Sequence, residues 1–514
     1  MTYSELHHTP APQATPASPA EVTRLVNAVI WPGFVGTTVP AWLDGALRNG
    51  LAGVVYFSHN IDPDAPGQVA ALSAAIRAAN PAAVVGVDEE GGNVTRLQAR
   101  DGSDIPGAAV LGALDDIGTT AAAGRAIGRL CRDAGVNLTI APVADVNTNP
   151  LNPVIGVRAF GAETQLVSAH TVAAIEGIQS LRVGACAKHF PGHGDTVTDS
   201  HMDVARVELS LAELTKKHLP PFKAAARAGV AAMMTAHIIV PELGDAPATL
   251  NPAAGELLRS LDFEGMLITD ALDMAAVRAT VGAGEGAVLS LLAGADLLCV
   301  GNPLNAYTTG RDDEDCYVEV RDALLVAVAS GRLPVETLRR AAARVKTFAE
   351  WANEPFEAPA SEDTVDWVDV AARACSIDIS RGHAKLSDPD AVVTMVDART
   401  GHNMAAGPTE NFFATALMDQ RQVNAVHAGS VGFTELAQIV GDASAAAEPV
   451  LVIVDSLEAP DQHKILAGIA ELAPQAICIN TGLEPFDDAG SALTTIHCHG
   501  FSKVSAEAVA RLLL

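Results

Sequence analysis

Basic residues are scarce in this chain. Lysine and arginine together number 33 against 61 aspartates and glutamates over 514 residues, a formal net charge of −28. A surface so anionic repels phosphate backbones and anionic headgroups, which argues against nucleic-acid and membrane partners and for a small, neutral or locally neutralised ligand. Also missing is any apolar run of the roughly 18 residues that a membrane helix needs, and the N-terminus has no basic segment leading into an apolar one. The expectation is a soluble, cytoplasmic protein. The seven cysteines include no Cys-x-x-Cys pair. Cys186 and Cys299 fall inside apolar runs, so buried reduced thiols are expected rather than disulfides or a metal cluster, in keeping with a reducing compartment.

What is present is core-forming material. Hydrophobic residues make up 49% of the chain, and the length exceeds one ordinary core. Residues 1–20 are expected to be a disordered tail, because 7–20 are rich in proline and alanine and have no apolar periodicity. Eight short apolar runs follow, at 26–30, 51–57, 83–87, 136–140, 183–187, 230–235, 266–269 and 296–300, separated by alanine-rich, helix-favouring segments. They are continuously apolar rather than alternating, as strands covered on both faces should be. The pattern predicts an α/β protein whose residues 21–351 form a (β/α)8 barrel. Polar, proline-punctuated residues 352–363 predict a linker, and apolar runs at 391–396, 423–427, 450–454, 476–479 and 494–498 predict a smaller α/β sandwich over 364–514.

Polar residues gather where the first set of runs ends. Asp88 and Glu89 follow the third, Asp145 and Arg158 lie after the fourth, Lys188 and His189 close the fifth, His237 the sixth and Asp270 the seventh. In a barrel all these ends open on one face, where active sites are found.

The densest cluster is Lys188-His189-Phe190-Pro191-Gly192-His193-Gly194, continuing to Asp199-Ser200-His201. Its proline and glycines predict a loop. Asp199 and His201 are two apart and can face each other in a turn, where a carboxylate orients an imidazole that gives and takes a proton near neutrality. A zinc site built from His189, His193, Asp195 and His201 is the alternative, although no second ligand cluster accompanies it. Asp270, delivered by residues 266–269, suits the carboxylate that attacks an anomeric carbon; the competing reading is an N-cap for the next helix. In Asp88-Glu89-Glu90-Gly91-Gly92-Asn93-Val94-Thr95-Arg96 a turn can bring an acceptor and a donor to one ligand. As a phosphate loop it fails, since its carboxylates repel phosphate and neither Gly-x-Gly-x-x-Gly nor a Walker pattern is present.

Residues 188–201 resemble the signature of the β-N-acetylglucosaminidase branch of glycoside hydrolase family 3. The resemblance extends to 88–96, to the Asp270 strand, and to Asn152-Pro153-Val154-Ile155-Gly156-Val157-Arg158-Ala159-Phe160-Gly161. It implies a (β/α)8 barrel, retaining chemistry without a metal or other cofactor, and a terminal N-acetyl-β-D-hexosamine as substrate. It makes Asp270 the nucleophile, His201 the general acid/base and Asp199 its partner, with Asp88, Arg96, Arg158, Lys188 and His189 holding the sugar. Val157, where many relatives carry an acid, and Ala205, where many carry a proline, depart from the pattern. A histidine base would not repel an anionic acceptor as a carboxylate would, so inorganic phosphate is a conceivable partner in place of water and phosphorolysis is the alternative reaction. A silent sugar-binding barrel is the alternative from another class.

Overall fold

The computed structural model describes residues 17–196, 205–305, 311–357, 365–380, 383–386, 388, 390–399, 411–484 and 491–514. Of the stretch expected to be a tail, residues 1–16 lie outside these. Ser18 caps a helix, Pro19–Asn27, by accepting from the Glu21 N–H, so regular structure begins inside that stretch. The same helix absorbs Val26 and Asn27, and this displaces the first strand from the expected 26–30 to Ile30–Pro32.

Eight parallel strands are each followed by helix, as the apolar runs predict. They are β1 (Ile30–Pro32), β2 (Gly53–Tyr56), β3 (Val84–Val87), β4 (Leu138–Thr139), β5 (Gly184–Phe190), β6 (Ala232–Thr235), β7 (Met266–Thr269) and β8 (Leu298–Gly301). Strands β2 to β7 pair in chain order, and β1 pairs with β8. The two seams are closed by the Ala52 N–H on the Asn27 carbonyl (2.9 Å) and by the bridge between Ile268 and Leu297. The result is a (β/α)8 ring. Inside it pack Trp31, Val55, Val84, Leu138, Ile140, Cys186, Met234, Ile268 and Cys299, and Val345 and Phe348 of the helix Val335–Asn353 belong to the same cluster. This helix runs two residues into the expected linker; residues 358–364 lie outside the described residues.

Beyond it, β9 (Ser376–Asp378), β10 (Val393–Asp397), β11 (Val423–His427), β12 (Val450–Val454), β13 (Ile477–Asn480) and β14 (Thr494–His497) form one sheet in the order β9-β14-β13-β12-β10-β11. All pairs are parallel except β9 with β14. Successive residues serve opposite faces: Leu451 and Ile453 join one core, Val450, Val452 and Val454 the other. Five of these strands match the expected runs. The edge strand β9 was not foreseen, because it is three residues long and half exposed.

The second sheet sits on the segment that follows β3. The Phe501 N–H donates to Asn93 Oδ1 at 3.0 Å, Lys503 pairs with Asp104 at 2.7 Å, and Val110 packs with Ala371, Ala374, Val504 and Ala508.

The barrel interior leaves no room at Gly86. Trp31 donates its indole N–H to the Val84 carbonyl at 2.9 Å, and a Cβ on Gly86 would lie 2.0 Å from the Trp31 ring. Gly86→Ala should therefore cost about 1–3 kcal/mol of unfolding free energy. A denaturant midpoint equal to that of the parent would refute this packing.

Candidate active site

Strand alternation decides which polar groups enter the barrel mouth. Val84, Cys186 and Ile268 face inward, so the residues two and four places further along the same strands, Asp88, Lys188 and Asp270, continue the inward column just beyond the apolar layer. Lys188 and His189 lie within β5 rather than on a loop, because the strand runs to Phe190 with every residue buried. The loop begins only at Pro191.

Four of these groups form a chain of alternating charge. Lys188 Nζ lies 2.7 Å from Asp88 Oδ1 and 2.7 Å from Glu90 Oε1. Arg158 grips the same Glu90 carboxylate with two nitrogens, Nη2 to Oε1 at 2.8 Å and Nε to Oε2 at 3.1 Å, and a third donates to the Val154 carbonyl. The Lys188, Glu90 and Arg158 side chains are all buried. Burial alone would raise the Glu90 carboxyl, but Arg158 and Lys188 outweigh it and hold the group well below the carboxylate range. Burial likewise opposes the charge on Lys188, and Asp88 and Glu90 more than offset it, so the ammonium is held above its ordinary range.

Asp145 organises a second group. One of its oxygens accepts from His189 Nδ1 at 2.7 Å and the other from the His193 backbone N–H at 2.8 Å, with the His189 N–H also within reach. Since a carboxylate only accepts, His189 carries its proton on Nδ1 toward Asp145 and presents Nε2 to a ligand. Burial would raise Asp145, but His189 and then His193 lower it on balance. His193 contacts Thr196 Oγ1 through Nδ1 at 2.8 Å and is driven by burial to about 4, so its ring is neutral near pH 7.

Asp270 emerges half-buried from β7 and accepts the Ala271 N–H at 2.8 Å. It is not a helix cap: the next helix, Ala275–Arg278, has Met274 at its N-cap. His237 Nε2 donates to the Ala271 carbonyl at 2.8 Å and so braces the same turn. The Asp270 charge is felt by Cys186 on β5 and by His193 just after it. Arg96 is buried, and its backbone N–H donates to Glu89 Oε2 at 3.1 Å. Asp199 and His201 lie outside the described residues, and so does one member of the imagined zinc set. Of the others, His189 and His193 are engaged as above, and Thr148 donates to Asp195 at 2.7 Å. Among the described residues no group of three or more His, Cys, Asp or Glu has the geometry to hold a metal ion.

Sequence reasoning missed Glu90 as the clamp, Asp145 as the anchor of both histidines, and Asp273. Asp273 is buried, accepts from the Asn302 N–H (3.1 Å) and Asn305 Nδ2 (2.9 Å), and is pushed by burial to about 6. For Asp273 the available signal was a second acid three residues after Asp270 on one turn.

Comparisons with known proteins bear on the family and the fold. The Glycosyl hydrolase family 3 N terminal domain matches residues 43–348. A "Beta-hexosaminidase" of Stenotrophomonas maltophilia is 38% identical over 285 residues, 53% of this chain and 82% of that protein. The solved structure of a glycoside hydrolase family 3 beta-N-acetylglucosaminidase from Paenibacillus sp. superposes with a TM-score of 0.83 at 30% identity and covers 96% of both chains. A Beta-N-acetylhexosaminidase from Beutenbergia cavernae has a TM-score of 0.57 at 26% identity; 64% of this chain covers 98% of that one.

Glu89, next to the clamp, is fully buried, and its Oε1 has no hydrogen-bond partner. Burial raises its carboxyl from an ordinary 4.5 to about 7. A raised pKa means that the folded state binds more protons than the unfolded chain between these values, so stability is lost as pH climbs from 4.5 to about 7. Glu89→Gln cannot titrate. Its unfolding free energy should fall less than the parent's across that window in urea titrations; equal slopes would contradict the burial argument.

Proposed function

This chain belongs to glycosyl hydrolase family 3, and on that premise we propose that it is a retaining exo-β-N-acetylglucosaminidase that removes terminal N-acetyl-β-D-hexosamine residues. The observation that carries the reading is that Asp270 on β7 and the Asp88–Lys188–Glu90–Arg158 chain beyond β3 and β5 both extend inward-facing strand positions at the same end of the barrel. The names of the relatives supply the substrate class.

In this mechanism Asp270 attacks the anomeric carbon while His201, oriented by Asp199, protonates the departing oxygen. The glycosyl-aspartate ester is then opened by water as His201 takes up a proton, and two inversions give net retention. Asp88, Lys188 and His189 offer an acceptor, a cation and the His189 Nε2 to the sugar hydroxyls, while Arg158 and Arg96 complete the holding set. A sugar is neutral, so it needs oriented donors and acceptors more than net charge. The alternating chain provides both without leaving an unbalanced ion in the mouth. Six of the seven free cysteines are buried, which supports the assignment to a reducing, cytoplasmic compartment; no described helix is long and apolar enough to cross a membrane.

Incubation with a chitooligosaccharide, with and without inorganic phosphate, should release free N-acetylglucosamine in both, and Asp270→Ala should lower the rate by about three orders of magnitude or more. Accumulation of the 1-phosphate in the phosphate arm would replace hydrolysis by phosphorolysis. Undiminished turnover by Asp270→Ala would remove it as nucleophile. For His201→Ala, kcat/KM should drop about a hundred-fold further on a disaccharide than on an activated nitrophenyl glycoside. Equal losses on the two would assign the proton to another group.

A further inference from the structure

His218 ends the helix Leu211–Lys217 and opens the helix Leu219–Arg227. It is completely buried, and neither ring nitrogen has a hydrogen-bond partner among the described residues. The ring lies against the root of the loop that leaves β5. Gly192 has φ +125°, and a Cβ there would sit 2.7 Å from the His218 Cβ and 3.3 Å from its Nδ1. On the opposite side residues 145–152 fasten the same root. Thr148 donates to Asp195 at 2.7 Å, the Asn149 side chain donates to the Thr196 carbonyl at 3.1 Å, and Asn152 donates to the His193 carbonyl at 2.8 Å.

A buried polar atom without a partner is costly, and here there are two on one ring. A phenyl ring would fill comparable space with no such cost. If packing were the only duty of residue 218, an imidazole would be a poor choice; rule-breaking side chains of this kind are expected where function demands them. Among the described residues, the charged groups whose fields reach this ring are Asp195 on the loop, Asp145 after β4 and Lys217 on the preceding helix. The two carboxylates favour the imidazolium and the lysine opposes it.

We propose that His218 is a positioning residue that gives residues 191–196 two placements. As a neutral ring it packs under Gly192 and leaves Asp195 with Thr148; as an imidazolium it draws the Asp195 carboxylate to itself and away from Thr148. One proton is taken from solvent to form the imidazolium, and no other covalent bond is made or broken. The inference rests on the reading that the chain beyond Thr196 carries the proton-transfer pair Asp199 and His201. A shift of its root changes where that pair meets the leaving group.

Burial holds the His218 pKa below the ordinary 6.5 despite the two aspartates. A lowered pKa means that the unfolded chain binds the extra proton first, so stability is lost as pH falls below 6.5 toward the folded value.

The test compares the parent with His218→Phe, and with His218→Gln should the first variant fail to fold. Tm is followed between about pH 5 and pH 8, and kcat/KM on a nitrophenyl N-acetylglucosaminide, each normalised to its own plateau, over the same range. The non-titrating variants should lose less Tm on acidification. Their acid limb should be less steep than the parent's and lie about half a pH unit or more lower. Superimposable activity profiles overturn the proposal, whether or not the Tm curves differ. A parent without turnover would instead sink the glycosidase reading; the positioning role would then be judged by whether the parent's Thr148–Asp195 hydrogen bond, followed by NMR, is lost on acidification and kept in the variant.

Discussion

The Glu90 carboxylate is buried and must nevertheless stay charged. It accepts from Arg158 beyond β4 and Lys188 on β5 while belonging to the segment after β3, so three consecutive βα units converge on one anion. Each cation on its own would be an expensive buried charge, and so would the carboxylate; together they are mutually solvated. Lys188 transmits the arrangement to Asp88, the most exposed member, which the proposed mechanism sets against the sugar. The clamp thus holds still the groups that the proposed mechanism offers to the sugar hydroxyls, and pre-positioned groups lower the entropic cost of binding and of reaching a reactive geometry.

The same segment supports the second α/β unit. Asn93 lies three residues past the clamp and receives the Phe501 N–H, Asp104 pairs with Lys503, and Val110 is packed against helices of the second unit. Asp88 and Glu90 therefore occupy a stretch of chain tethered at one end by the barrel sheet and further on by the interdomain seam. The seam adds constraint on the β3 segment from outside the barrel.

Much of this was legible beforehand because burial on both faces leaves an unambiguous mark. Continuous apolar runs located seven of the eight barrel strands closely, and strand ends pointed to Asp88, Lys188, His189 and Asp270. The first run misled because Val26 is apolar for a helix's sake: a serine cap and Pro19 start a helix whose inner face it completes. The fifth strand runs to Phe190, three residues beyond the apolar run that marked it, and carries Lys188 and His189 within it. What stayed hidden were pairings across long sequence separations. Arg158 with Glu90 and His189 with Asp145 join residues 68 and 44 positions apart. No local pattern marks them, since any strand-end acid is a candidate partner until the barrel closes. His218 is the extreme case: a lone histidine in a helical stretch reads as nothing until its contact with Gly192 is seen.

Charge also bears on which nucleophile completes the reaction. The interior chain cancels itself, two carboxylates against one lysine and one arginine, so it neither attracts nor repels an anion strongly. The surrounding protein does not cancel: a net −28 spread over 514 residues sets up a negative potential that a phosphate dianion must climb and a water molecule does not feel. The histidine base of the proposed mechanism would lower the local barrier to an anionic acceptor by removing one carboxylate, but it would leave the global field in place. With water abundant at the mouth, the balance of these two effects favours hydrolysis, and salt, which screens the field over a Debye length of about 10 Å at 0.1 M, is the condition under which that preference would narrow.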